Sequence, residues 1–164
     1  MQKFSKQQLS LYQNIATMGY VGYLPYPGTA ASFVTLLVGY PIVFLMGIPV
    51  SLFLCLLVLF LGSVACAVLM RIRPHLKDPR DYVIDECAGQ LIVILGIMML
   101  QFSSLSSQVV GFLLFRFFDG IKPWPICLIN NWRPTSPGLK STALMFDDVL
   151  AAFASLVVLY FIYA

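Results

Sequence analysis

Residues 29–70 contain no Lys, Arg, Asp or Glu. One membrane crossing needs about 20 mostly apolar residues, so this stretch holds two candidate spans. The first is 29–47, TAASFVTLLVGYPIVFLMG. The second is 50–70, opening after Pro49, a residue suited to a first helical turn. The 164-residue chain is 60% hydrophobic and 10% charged, with a mean hydropathy of +0.88. A soluble domain averages about 25% charged. The chain is read as one integral membrane domain, 1–164.

Three further stretches complete the set: 83–100, a short one at 108–121, and 142–163. The expected fold is an all-α polytopic membrane helix bundle of about five transmembrane spans, the fourth short, with an N-terminal interfacial helix. That helix is placed at 7–18, with Leu9, Tyr12 and Ile15 on one side. The residues after Lys3 and Lys6 are too polar for a cleavable signal. The charged residues fall at the N-terminus and in the regions 71–86, 116–122 and 133–148, while the connections 46–49 and 101–108 carry none. Five spans put every charged segment on one side, and the excess of basic residues makes that side cytoplasmic. The net charge of +3 reports this orientation; no nucleic-acid partner is expected.

The seven acids are Asp78, Asp81, Asp85, Glu86, Asp119, Asp147 and Asp148. Asp85 and Glu86 open the third span, Asp119 closes the fourth, and Asp147 and Asp148 sit near the start of the fifth. Three helices thus carry acids to one depth. Asp85 shares a face with Gly89, Glu86 with Gln90, and Asp147 with Ala151 and Ser155. Small neighbours allow close packing, so the acids can converge. Carboxylates gathered in this way do not all stay ionised without a positive partner. Oxygen donors suit Mg2+. Pairing with Arg116, Lys122 and Lys140 is the bland alternative, but intramembrane acids point to function.

Two further stretches bear on chemistry. LPYPGTAAS (24–32) reads by itself as a Pro-Gly turn with Thr29 as N-cap, although a helix start with free amides is also a ready anion site. In FRFFDGIKPWPI (115–126), Arg116, Asp119 and Lys122 follow at i,i+3 spacing. Arg makes bidentate phosphate contacts and Lys supplies a point charge. Cys127 and Arg133 have the C-x5-R spacing of cysteine phosphatases but no glycine between them, and the single histidine, His75, excludes a His-His phosphatase scheme. The four cysteines fit no disulfide or metal pattern.

PYPGTAAS, KDPRDYVIDECAGQ, FRFFDGIKPWPI and LMFDDVLAA occur in the order and approximate spacing of the phosphatidylglycerophosphatase A family, which the chain resembles over about residues 19–153. The resemblance implies a small bacterial inner (cytoplasmic) membrane enzyme. Its implied reaction is magnesium-dependent hydrolysis of phosphatidylglycerophosphate to phosphatidylglycerol and phosphate, on a phospholipid held in the bilayer, with the site on the cytoplasmic side. The matching motif residues are Pro27, Gly28, Thr29, Ser32, Asp78, Asp85, Glu86, Gly89, Arg116, Asp119, Lys122, Pro123, Asp147 and Asp148. In this reading Asp85, Glu86, Asp147 and Asp148 hold Mg2+, and Asp119 is a ligand or orients water. Gly28, Thr29, Ser32, Arg116 and Lys122 bind the phosphate. The approach to the Asp pair departs from the family's glycine-rich pattern, with Ala143 and Leu144 in GLKSTALMFDD. The alternatives are a cation-coupled transporter or channel, which calls for polar groups at mid-membrane, and a CDP-alcohol phosphotransferase, whose longer signature is absent.

Overall fold

The computed structural model describes residues 4–72, 80–102, 104–132 and 134–164. Every regular element among them is helical, in the order α1 (Lys6–Ala16), a 3-10 turn (Val21–Tyr23), α2 (Pro27–Ile72), α3 (Ile84–Met99), α4 (Leu105–Ile121), α5 (Ile126–Asn130) and α6 (Pro137–Tyr163). Asp78, His75 and Arg133 lie outside the described residues.

Helix α1 starts in a capping box: the Gln8 amide donates to Ser5 Oγ at 3.2 Å, and the Ser5 amide donates to Gln8 Oε1 at 2.9 Å. Tyr12, Ile15 and Met18 pack against a core that includes Ala16, Leu69, Met70, Ile84 and Ala88. The face expected to lie on a membrane surface is therefore turned largely to the protein. The Val83 amide donates to the Ala16 carbonyl at 2.8 Å and ties the end of α1 to the start of α3.

The 46 residues of α2, if straight, would run about 69 Å, more than twice the roughly 30 Å hydrocarbon core. The helix is broken at Gly47, with φ 77° and ψ 169°. That left-handed φ suits glycine, and Pro49 follows two residues later. The arm 27–46 runs parallel to α3: Gly28 abuts Glu86, Gly39 abuts Leu91 and Ile94, and Val43 clusters with Ile94 and Leu95. The arm 48–72 runs the other way, with Cys55 beside Ile94 and Leu95 and Gly62 against Ile84. Gly47 thus reverses the chain.

Helix α3 is the central strut, packed against both arms of α2, α4 and α6. Its packing rests on small residues. Gly89 admits the Phe115 ring, Gly96 admits Leu156, and Gly111 of α4 admits Ile97 and Val93. Serines cap the outer helices: the Ser107 amide donates to Ser104 Oγ, and the Leu139 amide to Ser136 Oγ, at the starts of α4 and α6. Phe44, Leu45, Phe53 and Phe60 on α2, Leu113 and Phe117 on α4, and Phe153 and Phe161 on α6 are exposed, while alanine, glycine, serine and cysteine fill much of the interior. A water-soluble monomer rarely exposes so much contiguous apolar surface. By length and composition, α2 and α6 qualify to cross a membrane.

Candidate active site

Three helices bring their acids to one end of the bundle. Asp85 and Glu86 occupy the first turn of α3, where the positive end of the helix dipole favours carboxylates. Asp119 lies in the last turn of α4, and Asp147 and Asp148 lie in the third turn of α6. All are at least largely buried; Asp85 is 5% exposed and Asp148 2%.

The acids divide into two groups. Asp85, Glu86 and Asp148 each bring a carboxylate oxygen within 4.8 Å of the others. Asp85 Oδ1, Glu86 Oε2 and Asp148 Oδ2 are buried and have no hydrogen-bond partner among the described residues. Buried carboxylate oxygens without partners are rare because their desolvation is uncompensated. The group is all-oxygen and partly sheathed by protein, so it fits a hard divalent cation.

The second group is built around cations. Arg116 Nη1 lies 2.9 Å from Asp119 Oδ2, and Lys122 Nζ lies 3.3 Å from Asp119 Oδ1. Lys122 also pairs with Asp147. Asp147, expected to stand with the metal ligands, therefore faces a lysine through Oδ2. Lys122 caps α4 in the left-handed conformation (φ 48°, ψ 60°), and its amide donates to the Phe118 carbonyl at 2.8 Å. The helix stops there, before Pro123. Burial lowers the affinity of the Lys122 ammonium for its proton, but Asp147, Asp148 and Asp119 outweigh this and raise its pKa above the ordinary lysine value.

The first turns of α2 supply the wall. A Cβ at Gly28 would overlap Glu86 Oε1 and come within 3.1 Å of Arg116 Nη2. A side chain here is accommodated only by displacing the Glu86 carboxylate and crowding the Arg116 guanidinium. Ser32 Oγ donates to the Gly28 carbonyl at 2.9 Å and accepts from Arg116 Nη1 at 3.2 Å. Gly28, Ser32, Glu86, Arg116 and Asp119 thus form one connected edge. Thr29 is different. The helix begins at Pro27, two residues earlier than the N-cap reading of Thr29 requires, and Thr29 is an exposed residue of its first turn.

Sequence reasoning missed the brace behind the acids. The Ala16–Val83 hydrogen bond, and Gly22 seated against the Asp81 carbonyl, hold the chain just ahead of Asp85. These partners are distant in sequence and consist of backbone and glycine, so no spacing or side-chain chemistry marks them. Pairing of the acids with Lys122 was the alternative weighed from the sequence; that Asp147 is one of its partners required the packing of two helices.

The model of the family described as phosphatidylglycerophosphatase A matches residues 14–163. A protein of Haemophilus influenzae named phosphatidylglycerophosphatase A is 31% identical over 136 residues, covering 83% of this chain and 78% of the relative. No solved structure matches the chain. The matched span holds all the elements that form the site, from the end of α1 to α6, and the chain therefore belongs to the phosphatidylglycerophosphatase A family.

Proposed function

We propose that this protein removes the terminal phosphate of phosphatidylglycerophosphate, releasing phosphatidylglycerol and inorganic phosphate, with Mg2+ held by Asp85, Glu86 and Asp148. Family membership makes it a phosphatidylglycerophosphatase, a phosphoric monoester hydrolase. The observation that carries the metal assignment is the trio of converging carboxylates, each with a buried oxygen that has no hydrogen-bond partner among the described residues. When bound, the metal supplies Lewis-acid polarisation and offsets the charge of the phosphomonoester.

The protein's own groups then have separable tasks. Arg116, oriented by Asp119 and Ser32, presents its guanidinium beside Gly28, where no side chain competes for space. A guanidinium placed there binds phosphate oxygens and stabilises charge that grows on them in the transition state. Lys122 adds a second cation from the end of α4. Asp119 has both oxygens engaged with these cations, so its task in this reading is to position them. Asp147 does the same for Lys122. Gly28 and Ser32 shape the phosphate side, and exposed Thr29 borders it.

The membrane placement belongs to the same proposal. The two arms of α2, with α3, α4 and α6, make five crossings, and the exposed apolar side chains face lipid. The acidic end lies at the cytoplasmic boundary of the inner membrane by the positive-inside rule, within reach of a phospholipid head group whose acyl chains stay in the bilayer. The cation-transport alternative is not favoured, because the matched family is a phosphatase family.

The test is phosphate release from phosphatidylglycerophosphate by purified protein in mixed micelles. Activity is expected with Mg2+, to vanish with chelator, and to return on adding Mg2+ back. Folded protein that releases no phosphate with Mg2+ present would overturn the reaction. Full activity after exhaustive chelation would overturn the metal assignment alone.

A further inference from the structure

Gln90 lies on α3 one helical turn after Glu86 and is 0% exposed. Neither its carboxamide oxygen nor its nitrogen has a hydrogen-bond partner among the described residues. An amide can make up to about four hydrogen bonds, and leaving a buried polar group unsatisfied is destabilising. Leucine at this position would pack without that penalty. A buried polar group with no partner among the described residues points to a ligand that it meets.

Its place in the fold says where that ligand is. Residues four apart share a helix face, so Gln90 lies beneath Glu86. Helical side chains lean toward the helix N-terminus, so the Gln90 amide leans back toward the carboxylate layer. Glu86 itself abuts Gly28 and approaches Arg116, and neighbouring Gly89 seats the Phe115 ring and the Asp148 carbonyl. Gly28, Ser32 and Thr35 are buried along the facing arm of α2. Directly inward of the acids, then, α3 carries a buried amide on the face that it shares with Glu86.

We infer that Gln90 is a specificity-determining residue that receives the free hydroxyl of the head-group glycerol. This rests on the phosphatase reading given above. Along α3, the Cα of Gln90 lies about 6 Å beyond that of Glu86, and the lean of the side chain shortens that offset. In phosphatidylglycerophosphate the free hydroxyl sits one carbon away from the carbon that bears the terminal phosphate ester. With the phosphate against the carboxylate layer, the hydroxyl falls next to it on the inward side. A hydroxyl both donates and accepts, and a carboxamide offers both an NH2 and a C=O. A phosphomonoester without the hydroxyl leaves the amide unpaired in the complex, and such sites discriminate strongly.

The experiment is a cycle in which one change is in the protein and the other in the substrate. Phosphatidylglycerophosphate and its analogue with the hydroxyl replaced by hydrogen are assayed with the natural enzyme, Gln90→Leu and Gln90→Met, alongside melting temperatures. The natural enzyme is expected to lose at least about a hundredfold in kcat/KM on the deoxy analogue. In both variants the penalty is expected to shrink to less than about threefold, by loss of the coupling between the two changes. Gln90→Met retains side-chain length, so it decides the outcome if Gln90→Leu melts early. An equal penalty in enzyme and variants, or none in the natural enzyme, overturns the assignment. A purely structural glutamine would lower the melting temperature and slow both substrates alike, which also overturns it. Failure of the natural enzyme on phosphatidylglycerophosphate itself removes the phosphatase reading and this one with it. Hydrolysis with unchanged discrimination removes only the role of Gln90.

Discussion

Lys122 is the residue whose loss separates structure from chemistry most cleanly. Lys122→Met removes the ammonium but keeps most of the apolar stem. In the native protein that ammonium pairs with Asp147 and lies 3.3 Å from Asp119; the side chains of these acids are 5% and 11% exposed, and that of Lys122 is 25% exposed. Breaking a buried pair costs about 3–5 kcal/mol. The partial exposure of Lys122 places this one at the low end, about 3 kcal/mol. Asp119 keeps Arg116 at 2.9 Å, so the ion pair lost is chiefly the one with Asp147. For a chain of this length, such a loss lowers the melting temperature by about 6–12 °C. Adding Asp147→Asn removes the charge that lost its lysine and is expected to recover about half or more of the loss.

The readouts are melting temperature by circular dichroism in detergent and kcat/KM on phosphatidylglycerophosphate, for both single variants and the double. If Lys122 also binds phosphate, the double variant regains stability but stays slow. A melting temperature unchanged by Lys122→Met, or a double variant no more stable than the single, would refute the reasoning. The pH dependence has a definite sign. Lys122 is held above its ordinary value, so its stabilising contribution is complete below the unfolded value near about 10.4 and is lost only as pH rises beyond it. Coupling between Lys122 and Asp147 is therefore expected to be flat from about pH 6 to about pH 9.

Three other expectations follow from the geometry. Gly28→Ala removes a helical glycine and is expected to leave stability unchanged or raised by up to about 1 kcal/mol, yet to lower kcat/KM at least about tenfold by displacing Glu86 and Arg116; paired melting and kinetic assays check both. Asp148→Asn is expected to weaken Mg2+ binding by at least about ten- to a hundredfold, read by titration calorimetry on the folded variant. Cysteines placed at Ser104 and Gly138, with the native cysteines replaced, are expected to label differently with a membrane-impermeant maleimide: Ser104 from outside the cell and Gly138 only after lysis. The reverse pattern would put the acids on the periplasmic face.

The amino-acid sequence by itself determined that the fold is helical and singled out the acids that the structure gathers at one end of the bundle. Long apolar stretches without charge leave helices as the simplest way to satisfy backbone groups away from water, and the acids could be recognised because charge is so scarce in this chain. It also marked the break between the two arms of α2, through Pro49 and the uncharged connection 46–49. Tertiary structure alone decided which groups each acid meets. Asp147 and Asp148 are adjacent in the chain, yet on a helix adjacent side chains point about 100° apart. One therefore meets Lys122 and the other meets Asp85 and Glu86. The same rotation leaves Thr29 exposed while Gly28 and Ser32 face Arg116 and Glu86. Helical phase turns one residue inward and its neighbour outward, but where a face meets its partner is fixed by packing: Gly28 against Glu86, Gly89 against Phe115, and the backbone tie from Ala16 to Val83.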